Sequence, residues 1–428
     1  MSSTDTGAEL SSRGAESSLA SVYGESALAA QLARYGDLLE GARGFAGKGE
    51  YRFFSAPGRT ELCGNHTDHN GGKVLAASVN LDAALCVRDE PGRVLLECEG
   101  FAQKVDVRLS ELEPIPSERG TTAALVRGVA RALLDAGRKV RGVAGRVTST
   151  VISGSGLSSS ASFEVAMGLA MLDGPAGGED DWVTLAKAGQ AAENIFFGKP
   201  CGLMDQMACA SGGALEIDFA DRASPVWRRI PFDPSRWGLA LYIVDTKGSH
   251  AGLTDEYAAV PAEMRAAAGA LGRETLSGVD RAEIVAAADR IRAAAGDRAL
   301  LRALHFAKEN DRVDAMADAI ARDDPAAFLD AVRASGASSW TLLQNLYASA
   351  SPTRELCVAL ALAEDLIGGR GACRVHGGGF AGTVQAYVPF GLEGEFAARM
   401  ERVFGPGCAT RLAIRAAGAL ELMRGRGR

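Results

Sequence analysis

Between Tyr51 and Ile152 the chain alternates short apolar or β-branched runs with polar residues, as in RVLLECEG, KVDVRL and GRVTSTVIS. A period near two marks strands, and one helical stretch, Thr121 to Ala136, interrupts them. Helical spacing then takes over from Leu157 to Met171 and from Trp182 to Phe197, and a further short helix should follow Gly202. The run Leu239 to Val244 (LALYIV) reads as a buried strand. Residues 256 to 367 are rich in Ala, Leu, Arg and Glu at helical spacing, broken by Pro261, Gly272, Gly296 and Pro352, and predict a helical insert. Beyond it ACRVHGG, TVQAYVP and ATRLAIR return to strand character, with a helix at Leu392 to Val403. Strands, helices and strands again predict an α+β protein of two domains divided near residue 235. Residues 1–20 are expected to be a disordered tail, 21–235 the first domain and 236–428 the second.

Composition narrows the classes. The 428 residues carry 46 Lys+Arg against 53 Asp+Glu, a net charge of −7, and no basic block. That balance disfavours a nucleic-acid binder, which needs clustered cations against phosphates. Eight scattered cysteines without a tight C-x-x-C pair fit buried thiols of a reducing compartment. Residues 1 to 20 lack the apolar core of a signal peptide, and the longest uncharged run, Val147 to Phe163, is full of Ser and Gly. A cytoplasmic protein without a membrane span is expected. Glycine is the outlier, with 52 residues, so the informative question is where it concentrates.

Four segments place unusual backbone or buried charge together. In SAPGRTELCGNHTDHNGG (55–72) a Pro57-Gly58 turn is expected to set Arg59 on a strand edge, ahead of Asn65, His66, Asp68 and His69. A zinc site, a turn whose polar groups satisfy one another, and a small polar substrate are the three readings of that cluster. In SGSGLSSSASFEVAM (153–167) successive Gly and Ser amides precede a helix. Such amides and the helix dipole favour an anion, and phosphate is the natural occupant, although neither a G-K-[ST] nor a G-x-G-x-x-G spacing is present. A simple linker is the alternative. In RVHGGGFAGT (374–383) three glycines between apolar strands imply close backbone approach. In QAAENIFFGKPCGLMDQM (190–207) Glu193 lies on a helix and Asp205 in the first turn of the next. Either a dipole-stabilising charge or a catalytic carboxylate fits there. Together a phosphate cradle with the Ser160 hydroxyl, the carboxylates Glu193 and Asp205, and Arg59 supply what phosphoryl transfer requires.

The ordered motifs resemble the GHMP kinase superfamily and, within it, the galactokinase family. APGRTELCGNHTDHNGG (56–72) is similar to the galactokinase signature, roughly G-R-x-N-L-I-G-E-H-x-D-Y-N-G-G; GSGLSSSAS (154–162) resembles the ATP loop. The segment 193–206 resembles the stretch with the magnesium ligand and catalytic Asp, and HGGGFAG (376–382) the third superfamily motif. The resemblance implies a two-domain α+β GHMP kinase fold with a C-terminal ferredoxin-like domain and the active site in the cleft between domains. It also implies ATP as co-substrate, Mg²⁺ as cofactor and phosphorylation of the C1 hydroxyl of galactose, giving galactose 1-phosphate and ADP. By the same match Asp205 would be the base, Arg59 its charge partner, and Ser160 and Glu193 the metal ligands. Asn65, His66, Asp68, Gly202 and Tyr257 would contact the sugar. Gly154, Ser155, Gly156, Leu157, Ser158, Ser159, Ser160 and Gly377, Gly378, Gly379 would surround the nucleotide. The chain departs from the pattern at Asn65, where the family has Glu, at Glu61, where it has Asn, and at His69, Ile152, His376 and Ala381. A 1-kinase for another sugar, or a sugar sensor without turnover, is the alternative; the sensor is disfavoured because Arg59, Ser160, Glu193 and Asp205 are all present.

Overall fold

The computed structural model describes residues 13–425 apart from 101–102, 153, 175–177, 200, 250–251 and 349–350. Two helices come first, α1 (Arg13–Tyr23) and α2 (Leu28–Ala46). The disordered tail is therefore corrected for residues 13–20, while 1–12 lie outside the described residues. Leu19 supplies the reason: it is fully buried with Tyr35, Leu38 and Leu39 against the first sheet. The hydroxyl of Tyr23 lies 3.1 Å from Ser55 Oγ and donates to Asp82, a fully buried carboxylate that also holds Arg34 at 2.6 Å.

That first sheet has eight strands among the described residues. Its main path runs β12 (Leu420–Gly425), β1 (Tyr51–Cys63), β2 (Lys73–Asp89), β5 (Val143–Ser149), β3 (Arg93–Cys98) and β4 (Val105–Arg108). The near half of the long β2 pairs instead with β6 (Ala214–Asp218), which pairs with β7 (Val226–Ile230). Helices α3 (Thr122–Asp135), α4 (Ser159–Met171) and α5 (Glu179–Ala191) cover one face. The Thr121 side chain caps α3 by accepting from the Ala124 amide, and Leu125, Val126, Val129 and Leu133 fill its inner stripe. A short π-helical turn (Ala192–Phe197) extends α5, and α6 (Met204–Ser211) follows it.

The second sheet is antiparallel, in the order β11 (Ala409–Leu412), β8 (Leu239–Asp245), β10 (Thr383–Pro389), β9 (Ala372–His376). With α13 (Glu393–Phe404) between β10 and β11, that is the ferredoxin-like β-α-β-β-α-β order. Its first helix is replaced by a helical segment from α7 (Thr254–Ala270) through α8 (Arg281–Ala286), α9 (Ala288–Ala295), α10 (Asp297–Ala321) and α11 (Pro325–Ser338) to α12 (Glu355–Ile367). Leu62, Leu75, Leu157, Leu241, Phe328 and Tyr387 form one apolar core that joins both sheets through α10 and α11.

Two expectations change. The Pro57-Gly58 turn is absent: β1 runs unbroken and buried through it, and the pairing with β2 shifts register between Pro57 and Arg59. A bulge accommodates the amide that proline lacks, and Arg59 pairs with Ser78 of β2 on one side while its amide meets the Leu157 carbonyl on the other, beyond the last pair with β12 at Ser55. The second domain was expected to run to 428, but β12 returns to the first sheet and pairs with β1, Tyr51 opposite Gly425.

Candidate active site

Arg59 projects from the bulged part of β1 and is 6% exposed. Its Nε donates to Asp205 Oδ1 at 2.8 Å and its Nη2 lies 2.6 Å from Oδ2, a two-point grip on a carboxylate in the first turn of α6. Ser158 Oγ donates to the same carboxylate, and the third guanidinium nitrogen donates to the Gly156 carbonyl. Burial pushes the Asp205 carboxyl up, but the Arg59 charge and the hydrogen bonds from Ser158 and Arg59 outweigh it. The net effect holds Asp205 below the usual carboxylate range, ionised and ready to accept a proton.

The glycine-serine loop lies directly on this pair. The Arg59 amide donates to the Leu157 carbonyl at 3.0 Å, and a Cβ on Gly58 would meet that oxygen at 2.8 Å. Gly154 and Gly156 take φ of 76° and 70°, conformations that a side chain disfavours. Ser158, at φ 58°, precedes α4 without capping it, since its hydroxyl is given to Asp205. Leu157 is fully buried in the core, so only its backbone belongs to the loop, while Ser159 and Ser160 open α4.

Three successive carbonyls of the HGGG loop are each taken by residues expected at the site. Asn65 Nδ2 donates to Gly377 O (2.6 Å), His66 Nε2 to Gly378 O (2.9 Å) and Tyr257 Oη to Gly379 O (2.6 Å). Burial pushes the His66 pKa down, which keeps its ring neutral. The ring of Tyr257 lies against Gly378, where a Cβ would meet Cε1 at 2.6 Å. Asp68 faces Gly202 so closely that a Cβ there would overlap Oδ2. Gly377 in turn approaches the Gly156 Cα, so the glycine loops of the two halves touch.

Asn65 differs from its neighbours. It is fully buried, and protein groups occupy its amide: Nδ2 donates to Glu61 Oε1 (3.1 Å) as well as to Gly377, and Oδ1 accepts from Asn345 Nδ2 (2.8 Å). Glu61 is ion-paired with Arg374 at 2.6 Å, both buried. On α10 the carboxylate of Glu309 accepts from the Gly64 amide (3.2 Å), and His305 Nε2 donates to the Asn65 carbonyl (2.9 Å). Sequence reasoning passed over Arg374, His305, Glu309 and Asn345. The signal available was two polar residues at i, i+4, His305 and Glu309, on the apolar face of a helix.

A zinc reading of the signature turn finds no support in this geometry. Among the described residues no group of three or more His, Cys, Asp and Glu could hold a metal. His66 is engaged with the glycine loop, and Asp68 Oδ1 accepts from the His69 amide at 2.9 Å. Glu193, in the π-helical turn, is 3% exposed with Lys199 at 3.8 Å. Glu164, one turn after Ser160 on α4, is raised in pKa first by burial and then by the charge of Glu193, with Asp205 adding to it. Glu164, Glu193 and Asp205 therefore belong to one neighbourhood, with Ser160 one turn before Glu164 on α4. No helix among the described residues is long and apolar enough to cross a membrane.

The sequence model for the galactokinase galactose-binding signature matches residues 43–89, and that for the GHMP kinases N terminal domain matches 124–213. A galactokinase of Streptomyces coelicolor is 36% identical over 342 residues, 78% of this chain and 84% of that protein. One from Mycobacterium tuberculosis is 33% identical over 343 residues, 78% and 88% of the two chains. The crystal structure of Lactococcus lactis galactokinase complexed with galactose superposes with a TM-score of 0.75 at 25% identity, covering 92% of this chain and 99% of that one. A mevalonate kinase structure shares the fold, with a TM-score of 0.59 at 16% identity over 85% of this chain and 99% of that one.

Proposed function

The chain belongs to the galactokinase family of GHMP kinases, and from that premise we propose that it transfers the γ-phosphoryl group of ATP to the C1 hydroxyl of galactose, giving galactose 1-phosphate and ADP. The observation that carries the reading is the two-point pair of the buried Arg59 and the partly exposed Asp205, set directly beneath the glycine-serine loop. Asp205 accepts the proton of the C1 hydroxyl as its oxygen attacks the γ-phosphorus. Arg59 keeps Asp205 ionised beforehand and offers positive charge to the transferring group. Both contributions are positional and electrostatic, which is what a loose phosphoryl transfer state rewards.

His66, Asp68, Gly202 and Tyr257 are proposed to receive the sugar. Bare Cα atoms at Gly202 and Gly378 keep side chains out of its way. Asn65 is proposed to hold the glycine loop in place through Gly377, not to offer free atoms to the substrate. Residues 154–160 and 377–379 are proposed to surround the phosphates with backbone.

The donor set fits Mg²⁺, which commonly binds through one or two carboxylates plus substrate phosphates and waters. Ser160 and the buried Glu193 would hold it, and when bound it would neutralise charge on the β- and γ-phosphate oxygens. The cysteines are all free, which supports a reducing, cytoplasmic setting. The test is phosphorylation of a panel of hexoses, pentoses and uronic acids by the purified chain with ATP and Mg²⁺, the product identified by phosphorus NMR. Galactose should react at C1. Poor turnover of galactose beside rapid turnover of another sugar would replace the substrate and leave the family reading intact.

A further inference from the structure

His376 ends β9 and is 2% exposed, at one of the positions where the chain departs from the family motif. Its surroundings fix both ring nitrogens. Nε2 lies 3.3 Å from the Glu61 backbone amide, which can only donate, so Nε2 is an acceptor. Thr60 Oγ1, 3.1 Å away, already accepts from Gln385 Nε2 at 2.7 Å, which leaves its own proton for the same nitrogen. A neutral imidazole that accepts at Nε2 carries its hydrogen on Nδ1. Nδ1 stands 3.1 Å from Thr383 Oγ1, and that hydroxyl donates onward to the Ser155 carbonyl at 2.8 Å. Burial, with the charges of Arg59 and Arg374, pushes the His376 pKa down to about 3, so the neutral ring persists.

The result is a one-way chain of donors from β1 through His376 and Thr383 to the phosphate loop. Hydrogen bonds aligned in series polarise one another, and this buried chain runs unbroken from the β1 amide to the Ser155 carbonyl. Its ends are next to catalytic groups. Thr60 adjoins Arg59, and Ser155 adjoins Gly156, whose carbonyl takes the Arg59 guanidinium. The Gly156 Cα itself faces the ring, where a Cβ would meet Nδ1 at 3.1 Å.

We propose that His376 is a positioning residue that couples the two substrate sites: with Thr383 it locks the strand carrying the sugar signature to the nucleotide loop, so that each substrate favours the binding of the other. The inference rests on the galactokinase reading. By linkage the enhancement must be equal in both directions.

The test is calorimetric titration of galactose and of the β,γ-imido analogue of ATP with Mg²⁺, each alone and each in the presence of the other. Wild-type protein should show mutual tightening of about tenfold, within the usual range for coupled sites. Thr383→Val, close in volume but without the hydroxyl, should reduce the enhancement to near one while the separate affinities change little. Thr383→Ser keeps the hydroxyl and should keep the enhancement, which separates coupling from packing. His376→Phe should match Thr383→Val, and the double variant should be no worse than either, because both break one chain. Equal tightening in wild type, Thr383→Val and His376→Phe would overturn the proposal, as would a wild type that binds both ligands independently. Failure of the wild type to bind galactose at all, with nucleotide bound, would overturn the galactose reading and the proposal with it.

Discussion

Replacing Asn65 with glutamate would restore the residue of the family motif, and sequence comparison alone expects a gain in galactose preference. The structure leads to a different outcome. Asn65 Nδ2 is 3.1 Å from Glu61 Oε1, and both residues are buried. Asn65→Glu sets two carboxylates about 4 Å apart, a repulsion of about 4 kcal/mol at an effective dielectric constant near 20. The Gly377 carbonyl also loses its donor, which adds about 1–3 kcal/mol for a buried group left unsatisfied. The sum, roughly 5–7 kcal/mol, is comparable with the whole stability of many domains.

The pH dependence follows from the sign of the shift. Burial already raises the Glu61 pKa, and a second carboxylate raises the pair further. A group whose folded pKa lies above its unfolded value contributes stability at low pH that is lost as pH rises through the folded value. The single variant should therefore unfold at much lower urea than wild type at pH 8, with the gap narrowing at pH 5.5. The exchange variant Glu61→Asn with Asn65→Glu keeps one acid and one amide beside Arg374, and should recover more than half of the lost midpoint. Galactose phosphorylation measured in parallel should follow the same order. A single variant with a wild-type urea midpoint at pH 8 would refute the reasoning, and so would an exchange variant no better than the single one.

Asp205→Asn should lower kcat by about 10²–10⁴-fold, the usual contribution of a general base, with galactose and ATP affinities nearly unchanged by calorimetry. Arg59→Met removes the charge that depresses the Asp205 pKa and leaves burial, which raises it; the acid limb of kcat/KM should move to higher pH, and an unmoved limb would mean that another group titrates. Gly378→Ala drives a methyl group into the Tyr257 ring, at 2.6 Å from Cε1, and should raise the KM for galactose about tenfold, at an overpacking cost of about 1–3 kcal/mol. Glu193→Gln should raise the Mg²⁺ concentration needed for half-maximal activity by about tenfold without changing the sugar preference.

Much of this site was legible because its motifs consist of residues that packing alone would not choose. Glycines at Gly154, Gly156 and Gly377, and an arginine and an aspartate in apolar surroundings, identify their segments from local sequence. The ferredoxin-like half was legible too, since LALYIV, ACRVHGG and TVQAYVP are short apolar runs at fixed chain positions. Strand β1 was not, because it is buried on both faces and so lacks alternation, and because Pro57 reads as a break where the fold uses a bulge. Long-range partners were equally hidden. Nothing near Glu61 announces Arg374, and nothing near Asn65 announces Asn345, for these contacts arise only when the second sheet and α10 close against β1. Residues 13–20 were misread because Leu19 is a single large apolar residue, and its burial depends on a surface supplied by the distant Tyr35 and Leu39.

The return of β12 to the edge of β1 bears on how the enzyme is made. β1 leaves the ribosome hundreds of residues before β12 exists, and until then Tyr51 to Ser55 present a buried-type edge of unpaired amides and carbonyls. Nascent chains must keep that edge from pairing with other chains throughout translation. A ribosome that stalls within the helical segment would release a product carrying Arg59, the phosphate loop and Asp205 yet still open along β1. Such a fragment should be a client of chaperones and proteases, and co-expression of a peptide spanning residues 419–425 should raise its soluble yield.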